Sequence, residues 1–303
     1  MYQQNTKKTD EFIHFSNFTS RLIIFGTIFC IILSLIISDL WLNILAFSGI
    51  MTFGIIHGAN DLLLIGKVSN SNNIKTQFVY YVFMVLVFFL FFYRTPTIAL
   101  ITFILLSSYH FGEHQWTLFE KPKNKLIKVF YFSYGLTIFS LIFYFNFLEV
   151  NEIIFDITSI RVEKIFYQYL LIGSSLLTFL LSILFYRKIQ NQLFVQLILL
   201  ILYFFTVSLT NLVLSFAIYF VLWHSLPSII EQTKFIYGFS EKKNYQTYFK
   251  KAFIYWIMSL FGLFITYYFF KESQSQLLSI FFSFLAAITF PHTFVISKIK
   301  KPS

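Results

Sequence analysis

Cysteine is almost absent from this chain of 303 residues, which contains only Cys30. A single cysteine cannot form an intramolecular disulfide, and it offers no pair of thiolates for a metal or redox site. The first 20 residues are polar, so we expect no cleaved signal peptide. The sequence also lacks the P-loop, GxGxxG and GxSxG patterns, which removes the usual signatures of nucleotide-binding proteins and serine hydrolases.

Charged residues are scarce as well, because they make up 12% of the chain while hydrophobic residues make up 57%. A soluble domain of this length needs a far larger polar surface. The net charge of +10 raises the possibility of nucleic-acid binding. In a membrane protein, however, an excess of basic residues belongs to cytoplasmic loops. We therefore predict contact with the lipid bilayer and no nucleic-acid partner.

Long apolar segments are what the sequence does contain, and we identify ten of them. Apolar runs of about 17–25 residues are typical of transmembrane helices. The sequence thus predicts an all-α polytopic bundle of about ten transmembrane helices, forming one transmembrane domain over 1–303 with a polar cytoplasmic segment at 1–20 and a cytoplasmic tail at 298–303. The segments cover residues 21–38, 41–66, 77–93, 96–118, 127–148, 165–186, 193–209, 211–231, 252–270 and 276–297.

The basic residues indicate the orientation of these segments. With ten spans, 19 of the 23 Lys and Arg residues fall on the side of the N-terminus. By the positive-inside rule this asymmetry places both termini in the cytoplasm and the protein in the cell (inner) membrane as a multi-pass protein. One long exterior loop, 149–164, remains, and for it we favour a solvated connector over an interfacial helix.

Five of the six histidines lie inside apolar segments, all of them on segments that run from the exterior to the cytoplasm. They stand 6 to 11 residues before the next cytoplasmic lysine, which is about 9–17 Å at the rise of an α-helix. Imidazole is costly in hydrocarbon, and five imidazoles in one layer predict a metal or redox site. These histidines are His57, His110, His114, His224 and His292.

Spacing links some of these histidines to neighbouring residues. His110 and His114 are four residues apart and so share a helix face. Asp61 is likewise four residues after His57, and its carboxylate either accepts the second ring N–H of His57 or is a helix-end charge. Gly112 either allows a ligand to approach the backbone or serves small-residue helix packing. Pro227 and Pro291 are expected to kink or end their helices near the site.

Four short segments carry a resemblance to a known family. They are IIHGAND at 55–61, YHFG at 109–112, WHS at 223–225 and FPH at 290–292. In order and spacing, over residues 50–297, they resemble the Brp/Blh family of membrane β-carotene 15,15′-dioxygenases. The resemblance implies a non-haem enzyme with Fe(2+) held by histidines. It implies that O2 cleaves the central double bond of β-carotene to give two retinal molecules, which a retinal-binding rhodopsin could accept.

The same resemblance implies a set of site residues. His57, His110 and His224 match its motifs as iron ligands. Some members carry a further histidine at the position of Ser228, so the resemblance leaves the fourth ligand of this chain open. The candidates are His292, which we favour, and His114. Residues next to the ligands, namely Asp61, Tyr109 and Trp223, are expected to support them through hydrogen bonds.

Three other functions compete with this interpretation. A membrane fatty-acid or carotenoid desaturase-hydroxylase needs about eight histidines in boxes, and only His110 and His114 form such a pair. A haem-binding membrane cytochrome would use axial histidine pairs and show a Soret band. A transporter with a histidine relay would distribute its histidines along the membrane normal rather than in one layer.

Overall fold

The computed structural model describes residues 2–69, 74–117, 125–272 and 277–299, and in these ranges all regular secondary structure is helical. The described residues form fourteen α-helices and two π-helical segments. In chain order they are α1 (Tyr2–Ser34), α2 (Asp39–Gly49), π1 (Ile50–Gly54), α3 (Ile55–Ala59), α4 (Asp61–Ser69), α5 (Ile74–Arg94), α6 (Pro96–Thr117), α7 (Ile127–Phe145), α8 (Phe147–Thr158), α9 (Lys164–Leu184), α10 (Tyr186–Leu209), α11 (Leu212–Ala217), π2 (Ile218–Ser225), α12 (Leu226–Tyr237), α13 (Lys242–Phe270) and α14 (Leu277–Ile299).

Eight helical stretches in the described residues are long and apolar enough to cross a membrane. They match eight of the ten predicted segments, so the prediction of an all-helical polytopic bundle is confirmed. The other two segments correspond to the apolar part of α1, Phe18–Ser34, and to α6. Helix α6 is 22 residues long, but polar residues in its second half lower its average hydropathy. The cytoplasmic placement of both termini stays a prediction.

The polar N-terminal segment is helical from Tyr2 and continuous with the first apolar segment. The expectation for the predicted exterior loop needs correction, because this segment contains a helix, α8, and is not a plain solvated connector. Its residues Val150, Ile153 and Ile157 recur at helical spacing and are buried against the bundle. Of the predicted C-terminal tail, residues 300–303 lie outside the described residues.

The centre of the bundle is formed by α7 and by the continuous stretch α11–π2–α12. Within the most apolar 18 residues of this stretch, 83% of the residues are buried, compared with 0% for α5 and 6% for α13. Helix α8 holds the start of α11 in place, because the Glu149 carboxylate accepts a hydrogen bond from the backbone N–H of Leu212 at 3.2 Å. The stretch that carries His224 is therefore enclosed by protein, while α5 and α13 form the periphery.

Helices α6 and α7 cross with their backbones in contact. A Cβ atom added to Gly112 would lie 1.8 Å from the carbonyl oxygen of Tyr131, and one added to Gly135 would lie 1.8 Å from that of Ser108. Small residues at a crossing allow membrane helices to approach this closely. Of the two interpretations of Gly112, helix packing is the one observed. The crossing fixes the position of α6, which carries His110 and His114.

Both π-helical segments lie at candidate ligands. Segment π1 ends three residues before His57, and π2 contains His224. Single π turns inside α-helices are rare and occur frequently at functional sites, where the extra residue redirects the side chains that follow. The prolines do not end the helices: Pro227 lies in the first turn of α12, and α14 continues through Pro291.

Candidate metal centre

The five histidines of the apolar segments meet in one buried cluster. They are contributed by α3, α6, π2 and α14, and each is about 3–4% exposed. The ring of His224 lies centrally, in contact with the three rings of His57, His110 and His114. The ring-centroid distances are 5.0 Å for His57–His224, 4.8 Å for His57–His292, 4.9 Å for His110–His224, 5.4 Å for His110–His292 and 4.6 Å for His114–His224.

Three of these histidines form the tightest group. One ring nitrogen from each of His57, His224 and His292 lies within 4.8 Å of the other two. Bonds from imidazole to a metal such as zinc are about 2.0–2.1 Å long, so small ring rotations would close this group around one ion. The geometry thus ranks His292 among the best-placed candidate ligands, ahead of His110, whose ring borders the group.

Hydrogen bonds determine which ring nitrogen of His57 and of His292 is available to bind a metal. Nδ1 of His57 contacts the carbonyl oxygen of Gly54, and Nδ1 of His292 lies 2.9 Å from the Asp61 carboxylate. A carbonyl oxygen and a carboxylate only accept hydrogen bonds, so both Nδ1 atoms carry the hydrogen and both Nε2 atoms keep a lone pair. This is the arrangement in which histidine binds a metal.

The remaining ring nitrogens test whether these residues fit a metal ion. Nε2 of His292 and both ring nitrogens of His224 are buried and have no hydrogen-bond partner in the part of the chain that the structure describes. Buried polar atoms are nearly always satisfied, and an exception calls for an explanation such as an ion. An ion bonded to these nitrogens would satisfy them, so the donor set fits a metal that binds neutral imidazole.

Asp61 contacts a different histidine from the one its spacing suggested. Its carboxylate binds His292 on α14, and not His57 four residues before it. The i, i+4 argument requires a continuous α-helix, but α3 ends at Ala59 and Asn60 adopts φ −94° and ψ 12° before α4 begins. This interruption turns Asp61 away from His57. The expectation that Asp61 orients His57 is therefore wrong, although Asp61 does contact a candidate ligand.

His114 has a carboxylate beside it that the sequence analysis did not consider. Its Nε2 lies 3.7 Å from the Glu231 carboxylate, and both side chains are buried. Glu231 stands on α12, seven residues after His224. Two helical turns separate these positions, so a search for acidic residues on the face of each histidine would have found it.

The two other expected supporting residues have partners away from the histidines. The Tyr109 hydroxyl donates to Glu113 at 2.7 Å, and the indole N–H of Trp223 donates to Thr27 on α1 at 2.9 Å. Adjacent residues on a helix point in different directions, so proximity in sequence to a ligand does not bring a side chain to it. Contrary to expectation, the hydrogen bonds of Tyr109 and Trp223 do not support the candidate ligands.

Ser228 occupies the position where the resembling family sometimes has a histidine. Its hydroxyl accepts a hydrogen bond from the Gln232 amide at 3.0 Å, and the Gln232 carbonyl accepts one from the Tyr248 hydroxyl at 2.6 Å. The side chain of Asn60 donates to the backbone of Tyr248 at 3.1 Å. This buried network ties α12 and α13 to the break between α3 and α4, beside the histidines.

An apolar cavity of about 260 Å³ borders the histidine cluster. His57, His110, His224 and His292 line one part of it, and the rest of the wall is mainly aromatic and aliphatic side chains of α5, α13 and α14. Phe111 contacts the His224 ring with centroids 4.7 Å apart. Cavities of this character, with few polar groups, bind apolar small molecules.

The comparison with protein families agrees with this site. A family model described as β-carotene 15,15′-dioxygenase matches residues 48–300, a range that includes all five clustered histidines. No curated protein and no solved structure shows a significant match to the chain. The family match covers most of the chain and all the helices that build the histidine cluster, and the chain belongs to the β-carotene 15,15′-dioxygenase family.

Proposed function

We propose that this protein binds one Fe(2+) ion at the histidine cluster and cleaves the central 15,15′ double bond of β-carotene with O2. In this reaction the carbon–carbon double bond breaks and each of its two carbons receives one atom of the same O2 molecule. Two retinal molecules form, so atoms balance with O2 as the only oxidant. One observation carries the proposal: three buried histidines beside an apolar cavity each have a ring nitrogen with a lone pair available to a metal.

The protein residues would hold the iron as follows. His57, His224 and His292 supply the closest nitrogens, and His110 borders the same space. All are neutral ligands, which suit a divalent iron ion and leave it cationic. Iron bound there would activate O2. The hydrogen bonds from His57 to Gly54 and from His292 to Asp61 would keep the two rings aimed at the ion.

The apolar cavity suits a substrate that never dissolves in water. Its aromatic walls, including Phe111 and Phe220, can pack against the faces of a polyene. Excluding water from the histidine cluster also limits side reactions at the metal. A symmetric polyene bound with its central bond beside the histidines would yield two equal products.

Access from the bilayer is the simplest route for such a substrate. The cavity is bounded by α5 and α13, the two spans with the least buried surface. Where these helices approach the cavity, Phe78 and Tyr255 are in ring contact with centroids 6.3 Å apart. We propose that β-carotene enters between these helices and that retinal leaves into the lipid, where a rhodopsin could receive it.

The geometry favours this function over the alternatives. A haem with two axial histidines needs a flat space between the two rings. Here neighbouring imidazoles contact one another directly, with centroids 4.6–5.4 Å apart. A histidine relay for transport would spread its members across the membrane, whereas these five form one compact group.

The proposal is tested by expressing the protein in bacteria that accumulate β-carotene. We expect the orange pigment to disappear and retinal to accumulate, with about one iron per chain in the protein purified from the inner membrane. His224→Ala should remain in the membrane without iron or activity. Apocarotenals of unequal length would contradict central cleavage, and undiminished β-carotene with iron-loaded protein would contradict the proposed reaction. Protein that contains only zinc, or two irons, would contradict the proposed cofactor.

A further inference from the structure

Tyr81 joins the apolar cavity to the histidine cluster. It stands on α5, its ring lines the cavity, and its hydroxyl donates a hydrogen bond to Oδ2 of Asp61 at 3.0 Å. Nothing in the sequence pattern marks it, because tyrosines are frequent in this chain and Tyr81 lies outside every motif. Its neighbour Tyr80 is 66% exposed on the outside of the same helix.

The Asp61 carboxylate is enclosed, and in the described part of the chain it accepts hydrogen bonds from Tyr81 and His292. It is 1% exposed, and its oxygens lie 2.9 and 3.1 Å from Nδ1 of His292. A buried carboxylate is stable only where hydrogen-bond donors surround it. The Tyr81 hydroxyl comes from a different helix than His292, so the two donors together define the plane of the carboxylate.

We infer that Tyr81 is a positioning residue for the metal centre, acting on His292 through Asp61. The inference rests on the proposed metal-binding role of His292. Tyr81 holds the carboxylate, the carboxylate holds Nδ1–H of His292, and Nε2 of that ring is thereby aimed at the metal. Because the Tyr81 ring also forms part of the cavity wall, the orientation of one ligand is linked to the helix that borders the substrate space.

Metal binding by the purified protein tests this inference without measuring turnover. Metal-free wild type and Tyr81→Phe would be titrated with Fe(2+) under anaerobic conditions and, separately, with Co(2+), whose visible spectrum reports ligand geometry. Partners that orient metal-binding histidines typically contribute 10–100-fold to metal affinity. For the hydroxyl one step further out we expect about a tenfold weaker affinity, at the lower end of that range, and a changed Co(2+) spectrum. Tyr80→Phe is the matched control and should bind both ions as wild type does.

A double-mutant cycle separates positioning from general stability. If Tyr81 acts through Asp61, adding Tyr81→Phe to Asp61→Asn should cause little further loss of affinity, because coupled residues are not additive. Additive losses would overturn the inference. So would wild-type metal affinity in Tyr81→Phe, even if its metal-free form melts at a lower temperature. Failure of the wild-type protein to bind either ion would contradict the proposed metal centre itself, which is a distinct result.

Discussion

The carboxylate of Asp61 lies 2.9 Å from Nδ1 of His292, which stands 231 residues later in the chain. The pair connects the start of α4 to α14, the last described helix. It also places a negative charge directly behind a candidate metal ligand. A carboxylate in this position fixes the tautomer of the imidazole and increases its basicity.

Replacing Asp61 by asparagine should weaken metal binding. The substitution keeps the shape of the side chain but removes its charge, and an amide can present either its oxygen or its nitrogen to His292. We expect metal affinity to fall about 10–100-fold, measured by competition with a chelator. Asp39→Asn, at an exposed residue that begins α2 and lies outside the motifs, is the control. Unchanged affinity in Asp61→Asn would return Asp61 to the role of a helix-end charge.

The fourth-ligand question can be decided by iron content. His292 belongs to the tightest nitrogen group, whereas His114 lies outside that group and is paired with Glu231. We therefore expect His292→Ala to lose more iron per chain than His114→Ala, as measured by elemental analysis of purified protein. The reverse order would make His114 the ligand. In that case Glu231→Gln should reduce iron retention as well.

The crossing of α6 and α7 should be intolerant of a single methyl group. In Gly112→Ala the new Cβ would have to move away from the backbone of Tyr131, which a side-chain rotation cannot achieve. Overpacking of this kind costs roughly 1–3 kcal/mol or more, and it would also displace His110 and His114. Lower thermal stability and lower iron content are both expected. Gly173→Ala is the matched control, because nothing lies within 4 Å of its added Cβ. Equal behaviour of the two variants would contradict the close crossing.

Filling the cavity should affect the substrate and not the metal. Ser259 of α13 lines the cavity, so Ser259→Phe would place an aromatic ring in its space of about 260 Å³. If the polyene must displace that ring at the usual overpacking cost of about 1–3 kcal/mol, kcat/KM for β-carotene falls roughly 5- to 150-fold. Iron content should stay at the wild-type value. Ser182→Phe makes the same change at a partly exposed site on α9, away from the cavity, and should leave both quantities unaltered. Full activity of Ser259→Phe would argue that the substrate binds elsewhere.

Hydropathy along the chain was sufficient to predict the helical bundle and a shared level for the five histidines, which the structure brings into one buried cluster. Hydropathy is a local property: a run of apolar residues in lipid has to form a helix, since only a helix satisfies its backbone without water. The same reasoning failed for α8, where the apolar residues are too few to span the membrane and their burial depends on the helices they pack against. It also missed Tyr81 and Glu231, whose contacts join helices that are distant in sequence.

The sequence by itself determined that five imidazoles lie in one layer of a membrane bundle, because position along a helix sets depth at about 1.5 Å per residue. Only the tertiary structure decided which of them converge most closely and what stands behind them. Side-chain direction depends on helical phase, and each additional residue rotates it by about 100°. The two π segments and the break at Asn60 change that phase beside His57, His224 and Asp61. The Asp61–His292 pair therefore follows from how the helices pack, and spacing along the sequence pointed to the wrong histidine.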